Sequence, residues 1–549
     1  WDMKQVEIYR GAQSYAQGRN AIAGAVVMTS NDPTQEWEGA AKLNMGNHRL
    51  AQTAALISGP IVKDELAFRL SVDHQQRETA VDLPHYDPVG NPRWFKATNT
   101  RAKLLWTPSA LPDLYSRLTF NHLNARAPQS ETELQPNSPR YTPERPVFQT
   151  RSASTIWDIG YQLSEHWKWE NKLVYTHFIH DRKTTSPFNT ALPPNRRGVP
   201  ARVDGNEFQI EPIVKYESEK YRGLFGLFYF NAKQDESVTM LNGRIARTPI
   251  TTNFNDKTKT KAAFGEITFT PDIPFELTLS ARYEQEHHQR KGKSAMFSIN
   301  RDKKYNVFLP KADIAWKIND DQRLGFKVGK GYNPGGAGVT FGVPYTSYEY
   351  DAEYVWNYEL YHRWTSADKR LRINSNLFYN DYKDMQLPFT LGPNSIVIRN
   401  ADKVVTYGAE INTEWQATEK LALNAGIGML KTDIKRYPNS GIEGNKLARA
   451  PSFSGKVGAN YRLLDHLEIG TNYSYNSSYY STADNLANGK VGHYDQLDVY
   501  LAYDFKHARI TLYADNVLNS RKDILLVPRS GDITRQPERQ IGLSTELRF

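Results

Sequence analysis

Residues 540–549 read Gln-Ile-Gly-Leu-Ser-Thr-Glu-Leu-Arg-Phe, and their order separates into two faces. Ile541, Leu543, Thr545, Leu547 and Phe549 place an apolar or neutral side chain at every second position, while Gln540, Gly542, Ser544, Glu546 and Arg548 between them are polar or small. Successive side chains of a strand point to opposite sides, so this is a strand with one greasy and one wet face that stops on an aromatic residue. A strand of a soluble sandwich shows the same alternation. Repetition along the chain favours a membrane. Tyr354, Trp356, Tyr358, Leu360 and Trp364 share one face against Asn357, Glu359 and Arg363. Leu421, Leu423, Ala425, Ile427 and Met429 form a second stripe, opposite small or polar residues such as Gly426 and Gly428.

The composition agrees. The chain has 549 residues, too many for one ordinary soluble core, yet no linker divides it into domains of usual size. Hydrophobic residues make up 39%, and no run approaches the ~18 apolar residues of a membrane helix, which excludes a helical membrane protein. A transmembrane barrel hides its hydrophobicity by alternation, and an aromatic share of 12% suits its interfacial girdles. The absence of cysteine fits passage through an oxidising periplasm and removes thiolate metal sites and a cysteine nucleophile. A net charge of +9 suits anionic ligands or outer-leaflet phosphates, and nothing resembles a nucleic-acid recognition helix or stacking motif.

From about Trp37 onward, strand pairs joined by short turns alternate with strand pairs joined by long polar loops. The short connectors include Leu111-Pro112-Asp113, Asp272-Ile273-Pro274, Asn319-Asp320-Asp321, Ala367-Asp368-Lys369, Glu419-Lys420 and Asp465-His466. The long ones run over about 77–96, 128–149, 187–203, 240–257, 337–351, 437–451 and 525–536. That rhythm predicts an all-β fold, a large antiparallel transmembrane barrel of about 22 strands, with about 23 residues per strand and connector. Such a barrel is wide enough to need something inside it.

Val6-Glu7-Ile8-Tyr9-Arg10-Gly11, followed by Gly18-Arg19-Asn20-Ala21-Ile22-Ala23-Gly24-Ala25-Val26-Val27, resembles the end of the plug domain in TonB-dependent outer-membrane receptors. The chain departs from that pattern with Ala12 for proline, Gln17 for tyrosine and Ala23 for the first of two glycines. Further matches follow in family order: Gly331-Tyr332-Asn333-Pro334-Gly335-Gly336, Trp356-Asn357-Tyr358-Glu359-Leu360, Phe378-Tyr379-Asn380-Asp381-Tyr382-Lys383-Asp384-Met385-Gln386, Tyr407-Gly408-Ala409-Glu410, Asp515-Asn516-Val517-Leu518-Asn519 and the terminal Phe549. The resemblance implies a C-terminal remnant of a plug over 1–35, lying inside a barrel over 36–549. It implies residence in the bacterial outer membrane and energised import of a ferric siderophore, with TonB-ExbB-ExbD acting through a plug segment missing from this chain. Iron is expected only within the bound siderophore, with no resident cofactor or metal, and outer-membrane lipid and lipopolysaccharide are expected around the barrel. The Met385-centred stretch is similar to the yersiniabactin receptor group. The haem branch is disfavoured because Lys330-Gly331-Tyr332-Asn333-Pro334 stands where haem receptors carry an FRAP box. The chain opens at Trp1 with neither a start Met nor a signal peptide, so a longer precursor is expected, with about 100 or more plug residues upstream.

Plugs of this family are often locked by arginines pairing with two barrel glutamates. The resemblance puts Arg10 in the first role and Glu359 and Glu410 in the second. The alternative is that both glutamates merely line a wet lumen. For ligand capture, long loops that mix cations with aromatics are the candidates, since Arg with Tyr or Trp supplies charge and ring stacking together. These are Arg93 and Trp94, Arg140, Tyr141 and Arg145, Arg196 and Arg197, Arg244 and Arg247, Tyr345, Tyr348 and Tyr350, and Arg529. Exposed loop arginines are also ordinary solvating or lipopolysaccharide-facing groups. His287-His288 invites a metal reading, but adjacent strand residues face opposite ways. Gly329 to Gly338 reads better as a bent strand end than as a phosphate cradle, because no helix follows it. No Gly-x-Ser-x-Gly elbow or HExxH occurs, so no enzyme is expected. Importers of haem, cobalamin or another ligand remain open, as does a passive porin, although a porin has no use for a plug-like segment.

Overall fold

The computed structural model describes residues 1–17, 21–135, 143–242, 247–392 and 395–549. Twenty-two antiparallel strands close into one barrel, in sequence order throughout. The closing seam is the strand Gln540–Arg548, which pairs with Ala508–Asp515 on one side and with Glu38–Gly46 on the other, at Met45↔Leu543 and Ala40↔Arg548. Closure leaves no unpaired sheet edge, which hydrocarbon would not tolerate.

The alternation read from the sequence sets the two faces. Ile541, Leu543, Leu547 and Phe549 stand out from the barrel, as do Trp356, Tyr358, Leu360, Ile427 and Met429. Facing inward between them are Asn357, Glu359 and Tyr361, all buried. Gly542 has a packing reason on that inner face. A Cβ there would lie 2.3 Å from the Tyr513 ring of the adjoining strand, so only glycine lets the ring lie across the strand. Outward aromatics gather in belts. Trp167 and Tyr216, Tyr221 and Phe269, and Phe275 and Trp316 contact each other at the turn end, while Tyr358, Tyr379 and Tyr407 form a row toward the other end. Rings of this kind suit the two water–lipid interfaces.

The expected short turns all lie at one end, the end where residues 31–37 enter the barrel wall. The long connections lie at the other. Among the described residues, the outer connections at 47–50 and 294–297 are short instead, and a further long one spans 477–493. The region 240–257 is only partly loop. The strand Ile250–Phe269 already includes Ile250 to Lys257, with Thr252, Phe254 and Asp256 buried on the inner face. Its polar residues disguise it because this part of the strand faces water on one side and packed polar side chains on the other. The outer connections at 337–351 and 525–536 carry small hairpins of their own, Gly336–Val339 with Ser347–Tyr350 and Asp523–Leu526 with Ile533–Arg535.

Residues 1–17 and 21–30 are separate from the wall. Met3–Arg10 pairs with Gly24–Ser30 as a two-stranded sheet, with the one-turn helix Ser14–Gln17 between them. Arg69, Lys103 and Glu410, whose side chains bond this segment, lie on the inward parity of their strands, so the hairpin occupies the lumen.

Candidate functional site

The site is the contact between this inner hairpin and the barrel wall. At the hairpin's base, Arg69 donates to Asp2 at 2.7 Å through Nε and 2.5 Å through Nη2, and its remaining nitrogen pairs with Glu38. Side-chain exposure is 4% for Arg69 and 2% for Asp2, which makes this a buried ion pair with satisfied geometry. Burial alone would raise the Asp2 carboxyl. The Arg69 hydrogen bonds and charge outweigh burial and hold it below its ordinary value. Asp32 forms a second clamp, 3.1 Å from Lys103 and 2.8 Å from Arg117. Lys103 Nζ also donates to Ser30 Oγ at 2.9 Å and to the Asn31 carbonyl at 3.2 Å, tying the chain where it leaves the hairpin. Burial opposes the Asp32 charge as well, and Arg117 with Lys103 brings its carboxyl below the usual value. Arg69, Lys103 and Arg117 come from three consecutive strands, so one basic strip of wall receives Asp2 at the start of the hairpin and Asp32 just after its end.

The opposite end of the hairpin is held differently. Arg10 Nη1 pairs with Glu410, and the two side chains are 53% and 31% exposed. Glu359 does not join them. Lys327 lies directly across from it in the strand register and takes it at 3.1 Å, and Asn376 donates to its other oxygen. Arg10 therefore bonds one of the two glutamates that the resemblance offers. Glu359, Glu410 and Arg10 still share the lining of one cavity of about 490 Å³, with Asn357, Asn376 and Asn380 on the wall side and Ile8, Ile22 and Val26 on the hairpin side. Beyond Arg10, Ser14 is buried against the wall. The Tyr332 N–H donates to its hydroxyl at 3.1 Å, and that hydroxyl reaches the Tyr332 carbonyl at 3.4 Å.

The loop candidates do not converge on one point. Arg140, Tyr141 and Arg244 lie outside the described residues. Arg93 is bonded to the Thr79 carbonyl at 3.1 Å, and Trp94 takes the outward parity with Leu104 and Trp106, its ring 4.8 Å from Lys96 Nζ. Arg145 is buried and donates to Ser130 Oγ, Arg196 is paired with Glu144, and Arg197 holds the Leu192 carbonyl at 3.0 Å. Arg196 thereby ties its loop to the one that carries Glu144, while the Arg145 and Arg197 bonds lie within their own loops. Tyr345 packs on the cluster of Val238, Met240 and Phe297, while Tyr348 and Tyr350 stack at 6.3 Å. Arg247 and Arg529 are exposed. His287 and His288 face opposite ways, toward Asp302 and Asp256 respectively. No group of metal-ligating side chains occurs among the described residues.

Sequence reasoning missed the two base clamps and a mouth cavity of about 580 Å³, where Arg77, Arg521 and Arg535 face Glu131, Glu133 and Asp498. Inward parity, followed up the strands, reaches Arg77 and Asp498 of these residues, while Glu131, Glu133, Arg521 and Arg535 lie in outer connections beyond it.

Residues 90–519 match the family model described as TonB dependent receptor-like, beta-barrel. The chain belongs to the TonB-dependent receptor family. Members are receptors and transporters of the bacterial outer membrane, and that is where this barrel resides. The chain is 22% identical over 306 residues to the pesticin receptor of Yersinia pestis. That match takes in 53% of this chain and 44% of the receptor, so it spans under half the relative's length. Among solved structures, the ferric yersiniabactin uptake receptor FyuA of Yersinia pestis superposes with a TM-score of 0.85 at 18% identity, covering 100% of this chain and 85% of that one. The siderophore receptor PiuA of Acinetobacter baumannii gives 0.80 at 14% identity, covering 100% and 86%. At these identities the likeness establishes the fold.

Proposed function

We propose that this TonB-dependent receptor imports a ferric siderophore, with the inner hairpin acting as part of the plug that closes the lumen. The observation that carries the reading is the hairpin itself, held across the barrel interior by Asp2, Asp32 and Arg10. A diffusion pore needs no such obstruction, whereas an energised importer needs one that opens on demand. The likeness to FyuA, a ferric yersiniabactin uptake receptor, and to PiuA, a siderophore receptor, supports the ligand class. The TonB-ExbB-ExbD complex is the proposed energy source, and iron enters as cargo within the siderophore.

In this reading the long outer loops capture the complex and the exposed cations Arg247 and Arg529 meet its negative charge. The Arg10–Glu410 pair keeps the hairpin across the passage until TonB pulls. The asparagines beside it, with Asn357 donating to Asn380 at 2.6 Å and Asn380 to Thr406 at 3.0 Å, give the passage a wet polar wall. The test is a binding screen of purified receptor against ferric catecholate, hydroxamate and mixed phenolate siderophores, with haem and cobalamin as controls. Tight binding of one ferric class, weakened when Arg247 and Arg529 are neutralised, is the expected result. Binding of haem or cobalamin in place of every ferric siderophore overturns the ligand class.

A further inference from the structure

The inner hairpin touches the barrel at one place that neither the base clamps nor Arg10 explains. The strand Gln322–Asn333 is paired on both sides only up to Gly329, which is opposite Lys311. Above it, Lys330 to Asn333 pair with the strand Glu353–Thr365 alone. The freed segment turns Tyr332 into the wall, where its ring packs on Val307 and Leu309 and its hydroxyl donates to Glu284. Glu284 is itself fixed by Arg282, whose Nη2 and Nε donate at 3.1 and 3.2 Å and whose guanidinium lies 5.2 Å from each of the Phe228 and Phe264 rings. Tyr332, Glu284 and Arg282 are all buried.

The backbone of the same Tyr332 carries the Ser14 contact. Gly331 makes that approach possible, since a Cβ there would lie 2.9 Å from the Ala12 methyl and 3.2 Å from the Ser14 hydroxyl. In the other direction, Tyr332 is followed by Asn333 and Pro334 and then by the outer hairpin. Gly335 packs under Tyr305 and Arg301, and the rings of Tyr350 and Tyr348 cover Gly336 and Gly338. The base of that outer hairpin is tied down by Glu353, which accepts from Asn333 at 2.8 Å and from the Gln386 backbone at 2.7 Å.

We infer that Tyr332 couples the outer hairpin Gly336–Tyr350 to the inner segment Ala12–Gln17. Displacing the outer hairpin pulls Asn333 and Tyr332 out of the wall and withdraws the backbone group that holds Ser14. Tyr332 is a positioning residue with two seats, its ring in the wall and its amide on the inner hairpin. The inference rests on the import reading only for what displaces the outer hairpin, namely a ligand at the mouth, and its test needs no ligand.

The chain has no cysteine, so a nitroxide on Ala16→Cys reports the motion of the inner turn without background. A second label on Met28→Cys reports the hairpin's base. Tyr350→Ala, which loosens the outer hairpin, is expected to shift the spectrum at position 16 from immobilised to mobile and to leave position 28 unchanged. Tyr332→Phe is expected to do the same without touching the outer hairpin. In a Ser14→Ala background the turn is already mobile and neither substitution adds to it. An unchanged spectrum at position 16 in Tyr350→Ala overturns the coupling, and so does a further shift of equal size in the Ser14→Ala background. A failure to bind any ferric siderophore would remove the proposed ligand and leave this result standing.

Discussion

The two ends of the inner hairpin are held by opposite physics. At the base, Asp2 is gripped by the buried Arg69, and Asp32 by the buried Lys103 with the half-buried Arg117. At the far end, Arg10 and Glu410 form one pair with half of the arginine side chain open to the lumen. A buried pair is hard to break because either partner left alone is an uncompensated charge in a low-dielectric site. An exposed pair exchanges its partner for water at little cost. The asymmetry teaches which end moves: a pull on the hairpin frees the Arg10 end first, while the base keeps the segment tethered to the wall.

The comparison breaks most severely at Arg69. Arg69→Met removes the ion-pair partner of the buried Asp2, leaving only the charge of Arg101 nearby, and is expected to destabilise the hairpin's seat by about 3–5 kcal/mol, read as lost protection of the Met3–Arg10 amides in hydrogen exchange. Lys103→Met is milder, because Arg117 still faces Asp32, and a loss of about 1.5–3 kcal/mol in the same measurement is expected.

Acid offers a third test of the base. Asp2 and Asp32 have folded values lowered below the ordinary aspartate value of 3.8, so their stabilisation is complete above that value and is lost as pH falls through the lowered ones. Limited proteolysis of residues 1–30 is expected to accelerate only in that acidic window, and Asp2→Asn with Asp32→Asn is expected to abolish the pH dependence. The smallest effect belongs to the tip. Arg10→Gln or Glu410→Gln is expected to change hairpin stability by no more than about 1 kcal/mol, and a double-mutant cycle between them gives the coupling directly.

The barrel was legible from period-two alternation repeated along the chain and from the rhythm of short and long connectors, because lipid on one side and water on the other leave a mark on strand after strand. The seam at Gln540–Arg548 was legible for the same reason. Arg10 and Glu410 came from family resemblance, and their side chains do pair. Glu359 with Lys327 was not legible, since it depends on a register that places the two opposite each other across neighbouring strands. The base clamps stayed hidden because Asp2 and Arg69, or Asp32 and Lys103, are distant in sequence and meet only once the barrel has closed around the hairpin. The mouth is a different case. Loop arginines and tyrosines read as ligand candidates, and the partners of three of them depend on the folded loops: Arg145 bonds Ser130, Arg196 pairs with Glu144 and Tyr345 packs on the Val238 and Phe297 cluster.

Amide-resolved native-state hydrogen exchange along the inner hairpin tests the central claim most directly. The account predicts that the amides of Gln5 and Val6, beside the clamped base, open at a clearly higher free energy than those of Tyr9, Arg10 and Ala25 near the tip. Uniform protection from base to tip, or stronger protection at the Arg10 end, would contradict it.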